Sequence, residues 1–168
     1  MKTLMFAGQM VLVCALAACT RTLNMDAAKT AIRTGLAEQT GIAISAVTCP
    51  ETRDIKAGDS FQCTATAETG GDLAVTVTQK DDAGNITWTL ASSANLIDLA
   101  ALETEIKTGL KAQLAVDAQV SCGGGKYRVA VPTKTFECTA KSGDSQAPII
   151  VTMKDDKGNI SWESGPAK

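Results

Sequence analysis

A duplication constrains this chain more than any other feature. Lys80-Asp81-Asp82-Ala83-Gly84-Asn85-Ile86-Thr87-Trp88 and Lys154-Asp155-Asp156-Lys157-Gly158-Asn159-Ile160-Ser161-Trp162 agree at seven of nine positions, at an offset of 74. Upstream, Phe61-Gln62-Cys63-Thr64-Ala65 answers Phe136-Glu137-Cys138-Thr139-Ala140, and Ile32-Arg33-Thr34-Gly35-Leu36 answers Ile106-Lys107-Thr108-Gly109-Leu110. Self-similarity at one fixed spacing marks an internal repeat. A unit of roughly 70 residues suggests two small domains in series rather than a solenoid.

Each copy reads as a helix followed by strands. In the first, Asn24 is an N-cap, Met25, Ala28, Ile32, Leu36 and Gln39 follow at helical spacing, and Gly41 is the C′ residue. In the second, Leu99, Leu102, Ile106, Leu110 and Leu114 form one apolar stripe from about Asp98 to Leu114. Gly35 and Gly109 stand at the same place in the two helices, where glycine costs about 1 kcal/mol relative to alanine. Close approach to a sheet and simple inheritance by duplication both account for them.

After each helix the apolar period becomes two. Val47/Cys49, Phe61/Cys63/Ala65, Leu73/Val75/Val77 and Ile86/Trp88/Leu90 alternate with polar residues, and the second copy repeats the pattern through Val120/Cys122, Phe136/Cys138/Ala140, Ile149/Val151/Met153 and Ile160/Trp162. The expected fold is therefore α+β: two tandem repeats, each one helix packed on a four-stranded antiparallel sheet with one disulfide. Repeat 1 spans 25–90, a linker 91–95 and repeat 2 96–164. Trp88 and Trp162 share the apolar face with their isoleucine neighbours and read as core. The two Asp-Asp-x-Gly-Asn segments read as hairpin turns, since they lack the alternating carboxylates and terminal Glu of an EF-hand loop. Gly123-Gly124-Gly125-Lys126 lacks the upstream Gly and the Ser/Thr of a phosphate loop and reads as a flexible connection.

The N-terminus reads as an export signal. Lys2 is followed by an apolar run from Leu4 to Leu16, too short to span a bilayer, and then by Leu16-Ala17-Ala18-Cys19. That ending resembles a bacterial lipobox, in which the Cys19 sulfur takes a diacylglyceryl group and becomes the first residue. The expected division is a signal peptide over 1–18 and a lipid tether over 19–24. The alternative is an ordinary signal cleaved near Ala18, leaving Cys19 as a plain thiol. Lipidation would place the protein on the exported side of the cell membrane. In a two-membrane cell, Thr20 after Cys19 points to the periplasmic side of the outer membrane.

Of the six cysteines, Cys14 would leave with the leader and Cys19 would carry lipid. Cys49, Cys63, Cys122 and Cys138 remain, an even number in an exported chain. Only the pairs Cys49–Cys63 and Cys122–Cys138 respect the repeat. Each would close a loop of about 15 residues, worth roughly 3 kcal/mol in the chain-entropy account. No C-x-x-C occurs, which argues against a redox dithiol or zinc knuckle.

Composition narrows the chemistry. The chain has 16 Lys+Arg, 18 Asp+Glu and no His. The commonest general base and metal ligand is missing, and no Ser-His-Asp set can be built. The reading is non-enzymatic, without cofactor or metal, and nothing basic enough for nucleic acid is present. The copies differ most between their cysteines, where Glu51 to Asp59 is of mixed charge and Lys126 to Lys134 is basic and partly apolar. A candidate partner surface therefore comprises Lys126, Tyr127, Arg128 and Lys134, with Ile150 on an outward strand face. Drift after duplication accounts for the same difference.

The run Val47-Thr48-Cys49-Pro50, then Lys56-Ala57-Gly58-Asp59-Ser60-Phe61-Gln62-Cys63-Thr64, after a helix and before two strands, resembles the bacterial domain-of-unknown-function family numbered 4333. The second copy keeps Phe136-x-Cys138 but has Gly123 for the proline and Thr133-Lys134-Thr135 for Gly-Asp-Ser. The resemblance implies a secreted or lipid-anchored envelope protein and no particular activity. Tandem units of this shape, each with one disulfide, are also similar in architecture to secreted β-lactamase-inhibitor proteins. The expected function is a lipid-anchored envelope binding or structural module, with an inhibitor or sensor of an envelope enzyme as the second reading. The expected partners are the membrane, through the anchor, and an envelope protein.

Overall fold

The computed structural model describes residues 21–92 and 95–166. The apolar leader and Cys19 lie outside them. Helix α1, Met25–Thr40, starts where Asn24 accepts a hydrogen bond from the Ala27 amide at 3.0 Å and stops at Gly41, whose φ of 70° is left-handed. It leads into β1 (Ile44–Thr48), β2 (Ser60–Ala67), β3 (Asp72–Gln79) and β4 (Ile86–Leu90), an antiparallel sheet in the order β1-β2-β3-β4. Burial alternates strictly along β2 and β3, so Phe61, Cys63, Ala65, Leu73, Val75 and Val77 meet Ile32 and Leu36 in one core.

The second half has α2 (Leu99–Leu114), capped by Asp98, which accepts from the Ala100 and Ala101 amides. Strands β6 (Gln119–Ser121), β8 (Thr135–Ser142), β9 (Ser145–Met153) and β10 (Ile160–Ser164) form a second antiparallel sheet in the order β10-β9-β8-β6. Leu102, Ile106 and Leu110 pack with Phe136, Cys138, Ile149 and Val151. The protein is thus mixed α+β, with antiparallel sheets and disulfides Cys49–Cys63 and Cys122–Cys138.

The paired glycines have a physical cause. A Cβ on Gly35 would lie 2.4 Å from Cζ2 of Trp88, and one on Gly109 would lie 2.4 Å from the same atom of Trp162. Each tryptophan, half-buried on the inner face of its sheet, sets the Cζ2 edge of its ring against the place of the missing side chain.

Two helical positions differ from the spacing argument. Gln39 is exposed and Thr40 takes the buried place, its hydroxyl donating to the Leu36 carbonyl at 2.6 Å. Leu114 lies on the predicted stripe yet is 57 % exposed. It ends the helix just before Ala115 turns left-handed at φ 55°.

A third, two-stranded sheet is absent from the sequence reading. Strand β5, Leu96–Asp98, pairs antiparallel with β7, Tyr127–Val129. The first half holds the same ribbon in reduced form. Thr22 bridges Asp54, the Leu23 amide donates to the Arg53 carbonyl at 2.8 Å, and the Ile55 amide donates to the Arg21 carbonyl at 2.7 Å. The stretch read as the end of a tether is therefore pinned to the first cysteine loop from Arg21 onward, and Leu23 is buried.

Candidate functional site

The region between Cys122 and Cys138 is where the candidate partner residues fall, and the structure gives it an internal task. The β5–β7 ribbon has two faces, because side chains alternate across a strand. Ile97 packs into the second core, and the Arg128 guanidinium lies 4.4 Å from the centre of the Phe136 ring. Val129, 1 % exposed, belongs instead to the first core, and Leu96 and Tyr127 pack against that same core. The ribbon is a wedge between the two halves.

The end of the first half that receives it is shaped for it. A Cβ on Gly71 would lie 2.6 Å from Val129 Cγ1 and 2.8 Å from Val131 Cγ2. One on Gly41 would lie 2.9 Å from the Lys126 amide nitrogen. Gly41 therefore serves twice, as the left-handed helix cap and as the floor under the incoming loop. Polar ties flank the apolar contact: Asn95 Nδ2 donates to the Asp72 carbonyl at 2.9 Å, and Lys134 Nζ donates to the Thr69 carbonyl at 3.4 Å.

The five candidate residues do not form one surface. Tyr127 and Lys134 contact the first half, and Lys126 is exposed with its Nζ 5.1 Å from the Tyr127 ring centre. Arg128 is turned onto its own half, and burial there lowers its pKa from the ordinary guanidinium value. Ile150 lies elsewhere, on the outer face of the second sheet, directly between Glu137 on β8 and Glu163 on β10. Tyr127 and Val129 of the divergent loop are used in joining the halves, while Ala130 and Val131 pack with the second core, and this demand accounts for apolar residues at these places of the second loop.

The loops are held by analogous but chemically different bonds. Gln79, 1 % exposed, accepts from the Lys56 amide and donates to the Asp54 carbonyl. In the second half Met153 stands at that register position, and its sulfur accepts from the Val131 amide at 2.9 Å. Gly58 has φ 80°, and at the same turn of the second half Thr133 adopts φ 66°, a strained conformation for a β-branched residue.

The Asp-Asp-x-Gly-Asn turns are closed by their own side chains. Asp81 accepts from the Ala83 and Asn85 amides and from Asn85 Nδ2, and Asp155 does the same with Lys157 and Asn159. The side-chain bond from Asn85 or Asn159 is the main cause that lowers each carboxyl pKa. Among the described residues no group of three or more His, Cys, Asp or Glu is placed to hold a metal, and no helix is long and apolar enough to cross a membrane.

Two apolar clefts sit at opposite ends of the molecule. One, of about 490 Å³, is lined by Arg21, Leu23, Ala27, Ala31, Ile55 and Ile86, where the described chain begins. The other, of about 350 Å³, lies between the C-terminal end of α2 and the β8–β9 hairpin, with the exposed Leu114 at its edge. Sequence reasoning missed this second cleft. Its one visible signal was Leu114, placed in the core by periodicity.

No curated protein and no solved structure matches the chain. The family model described as a domain of unknown function, DUF4333, matches it twice, over residues 9–84 and 86–158. With nearly its whole length covered by these two matches in series, the chain belongs to that family and carries its domain in tandem.

Proposed function

We propose that the protein is a lipid-anchored, non-enzymatic binding module of the cell envelope, built from two helix-on-sheet repeats stacked end to end. The observation that carries this reading is the order of parts along the stack. Cys19, the expected lipid attachment, precedes Arg21 by two residues, and Arg21 already accepts a hydrogen bond from Ile55. Two extended residues reach only about 7 Å. The first repeat would therefore rest on the membrane, with its ribbon and the Arg21-lined cleft toward lipid. The second repeat, wedged onto the far end of the first, would carry its hairpin end outward. The two disulfides suit an exported protein.

Fractionation tests the anchor. The wild-type protein should sediment with membranes and take up a labelled fatty acid, and Cys19→Ala should do neither. A Cys19→Ala protein that stays membrane-bound would remove the anchor. Affinity capture with the purified protein, set beside assays on cell-wall substrates, tests the rest. A defined protein partner supports a binding module, whereas substrate turnover would overturn it. Inhibition of a captured enzyme would turn the reading toward an inhibitor.

A further inference from the structure

We infer that the cleft at the hairpin end of the second repeat docks an extended segment of a partner protein that presents large apolar side chains at alternate positions. This rests on the binding-module reading above and names its site and the chemistry of its partner.

The repeat itself supplies the template. The strand registers pair Ala65 with Leu73 in the first sheet and Ala140 with Ala147 in the second, so the second cleft occupies the place that the β5–β7 ribbon fills in the first repeat. There Val129, Leu96 and Tyr127 cover the end of the first core. In the second repeat the same end is open among the described residues. Its wall is Leu110, Leu114, Val116, Ala118, Ala147 and Ile149.

Three residue changes set the size of the occupant. Leu73 becomes Ala147, Leu90 becomes Ser164 and Ile44 becomes Ala118. Each shortens a wall residue, so the open end would take a side chain larger than Val129. A merely polar cap on a terminal repeat would not look like this. Ser142, Ser145 and Ser164 do make a polar rim. The position of the buried Thr40, however, is taken by Leu114, which adds apolar surface to the opening.

A second copy of the chain does not supply the complement. The matching face of the first repeat's own ribbon carries Thr22, Thr52 and Asp54, where the second has Leu96, Tyr127 and Val129. All three are exposed. Burying the Asp54 carboxylate among Leu114 and Ile149 would leave a charge without a partner. Head-to-tail docking of one copy onto another is disfavoured for that reason, and the occupant is a different protein.

The test uses a fluorescein-labelled, disulfide-cyclised hairpin whose strands copy Leu96–Asp98 and Tyr127–Val129, with leucine in place of the valine. A control hairpin carries threonine, threonine and aspartate at the three docking positions. Fluorescence polarisation with the purified full-length protein should detect the first hairpin and not the control. Leu114→Lys should weaken binding by at least about tenfold, since a large apolar contact at the mouth of the cleft is replaced by a charge. Ala147→Leu restores the residue of the first repeat, keeps the fold and should weaken binding as much by filling the cleft. Equal binding of both hairpins, no binding, or binding untouched by Leu114→Lys and Ala147→Leu would overturn the inference. So would a dimer in sedimentation that Leu114→Lys dissolves, which assigns the cleft to a second copy, or a fluorescent fatty acid that binds there while the hairpin does not. An envelope partner still captured by Leu114→Lys would sink this site while leaving the binding-module reading standing.

Discussion

The two ribbons show what duplication preserves and what it releases. On the inner face they agree. Leu23 and Ile97 are buried under their own repeats, and Arg53 and Arg128 each lie over a phenylalanine, at 5.4 and 4.4 Å from the ring centres of Phe61 and Phe136. On the outer face they disagree completely, with Thr22, Thr52 and Asp54 in one and Leu96, Tyr127 and Val129 in the other. The inner face answers to a core that is the same in both repeats. The outer face answers to a neighbour, and among the described residues only the second ribbon has one inside the chain.

The harshest way to break that comparison is to give the second ribbon the first one's outer face. Val129→Asp places the equivalent of Asp54 inside the first core. It should destabilise by more than about 3 kcal/mol, from lost apolar burial together with an unpaired buried charge. Urea unfolding followed by tryptophan fluorescence should then split into separate steps for Trp88 and Trp162. The reverse change, Asp54→Val, lies on an exposed face and should move the midpoint little. Equal effects from the two changes would mean that the ribbon is not a wedge.

A second substitution tests what the repeats share. Gly35→Ala and Gly109→Ala each push a methyl group against a tryptophan ring. Overpacking of about 1–3 kcal/mol is reduced by the helix preference of about 1 kcal/mol for alanine, leaving a net loss of up to about 2 kcal/mol in either repeat. Thermal unfolding should show matched losses. A loss at Gly35 alone would mean that the second helix sits more loosely on its sheet.

Much of this was legible in the sequence because a repeat states each pattern twice. The helix starts at Asn24 and Asp98, the alternation of β2, β3, β8 and β9, and both disulfide pairs follow from spacing and composition. The ribbon was not legible. Its strands are three residues long or a single bridge, too short for a period-two signal. The shared Arg53 and Arg128 were its one trace. Leu114 was misplaced for a related reason: periodicity reports which side of a helix is apolar, not whether anything covers it. The divergent loop stood out in the sequence as a candidate surface for a partner, and in the structure its Tyr127 and Val129 turn inward, because chemistry alone does not separate a surface for another protein from a surface for the other half of the same chain.

A smaller effect sharpens the comparison at the backbone. Thr133 holds φ 66° at the turn where the first repeat has Gly58. Thr133→Gly should relieve the left-handed strain and stabilise by about 1 kcal/mol, with part of the gain offset by the freedom of glycine in the unfolded chain. The chemical denaturation midpoint should rise. An unchanged midpoint would mean that neighbouring contacts already absorb the strain.

The last difference should be close to none. Asp81 and Asp155 are exposed and each is bonded by the asparagine four residues on, so both carboxyl groups titrate below the usual aspartate value of about 3.9. A folded pKa that is depressed means a contribution that is complete above the unfolded value and is lost as pH falls through the folded one. Both turns should therefore loosen only in acid, below about pH 4. Carboxyl-carbon NMR titration should show the two groups moving together. Asn85→Ala should raise the Asp81 titration alone, and Asn159→Ala that of Asp155 alone. Asp82 Oδ1 also accepts from the Ala57 amide at 3.0 Å, a tie that joins the first turn to its cysteine loop. If Asp81 titrates apart from Asp155, that tie transmits the state of the loop to the turn, and the first repeat is the more tightly coupled of the two.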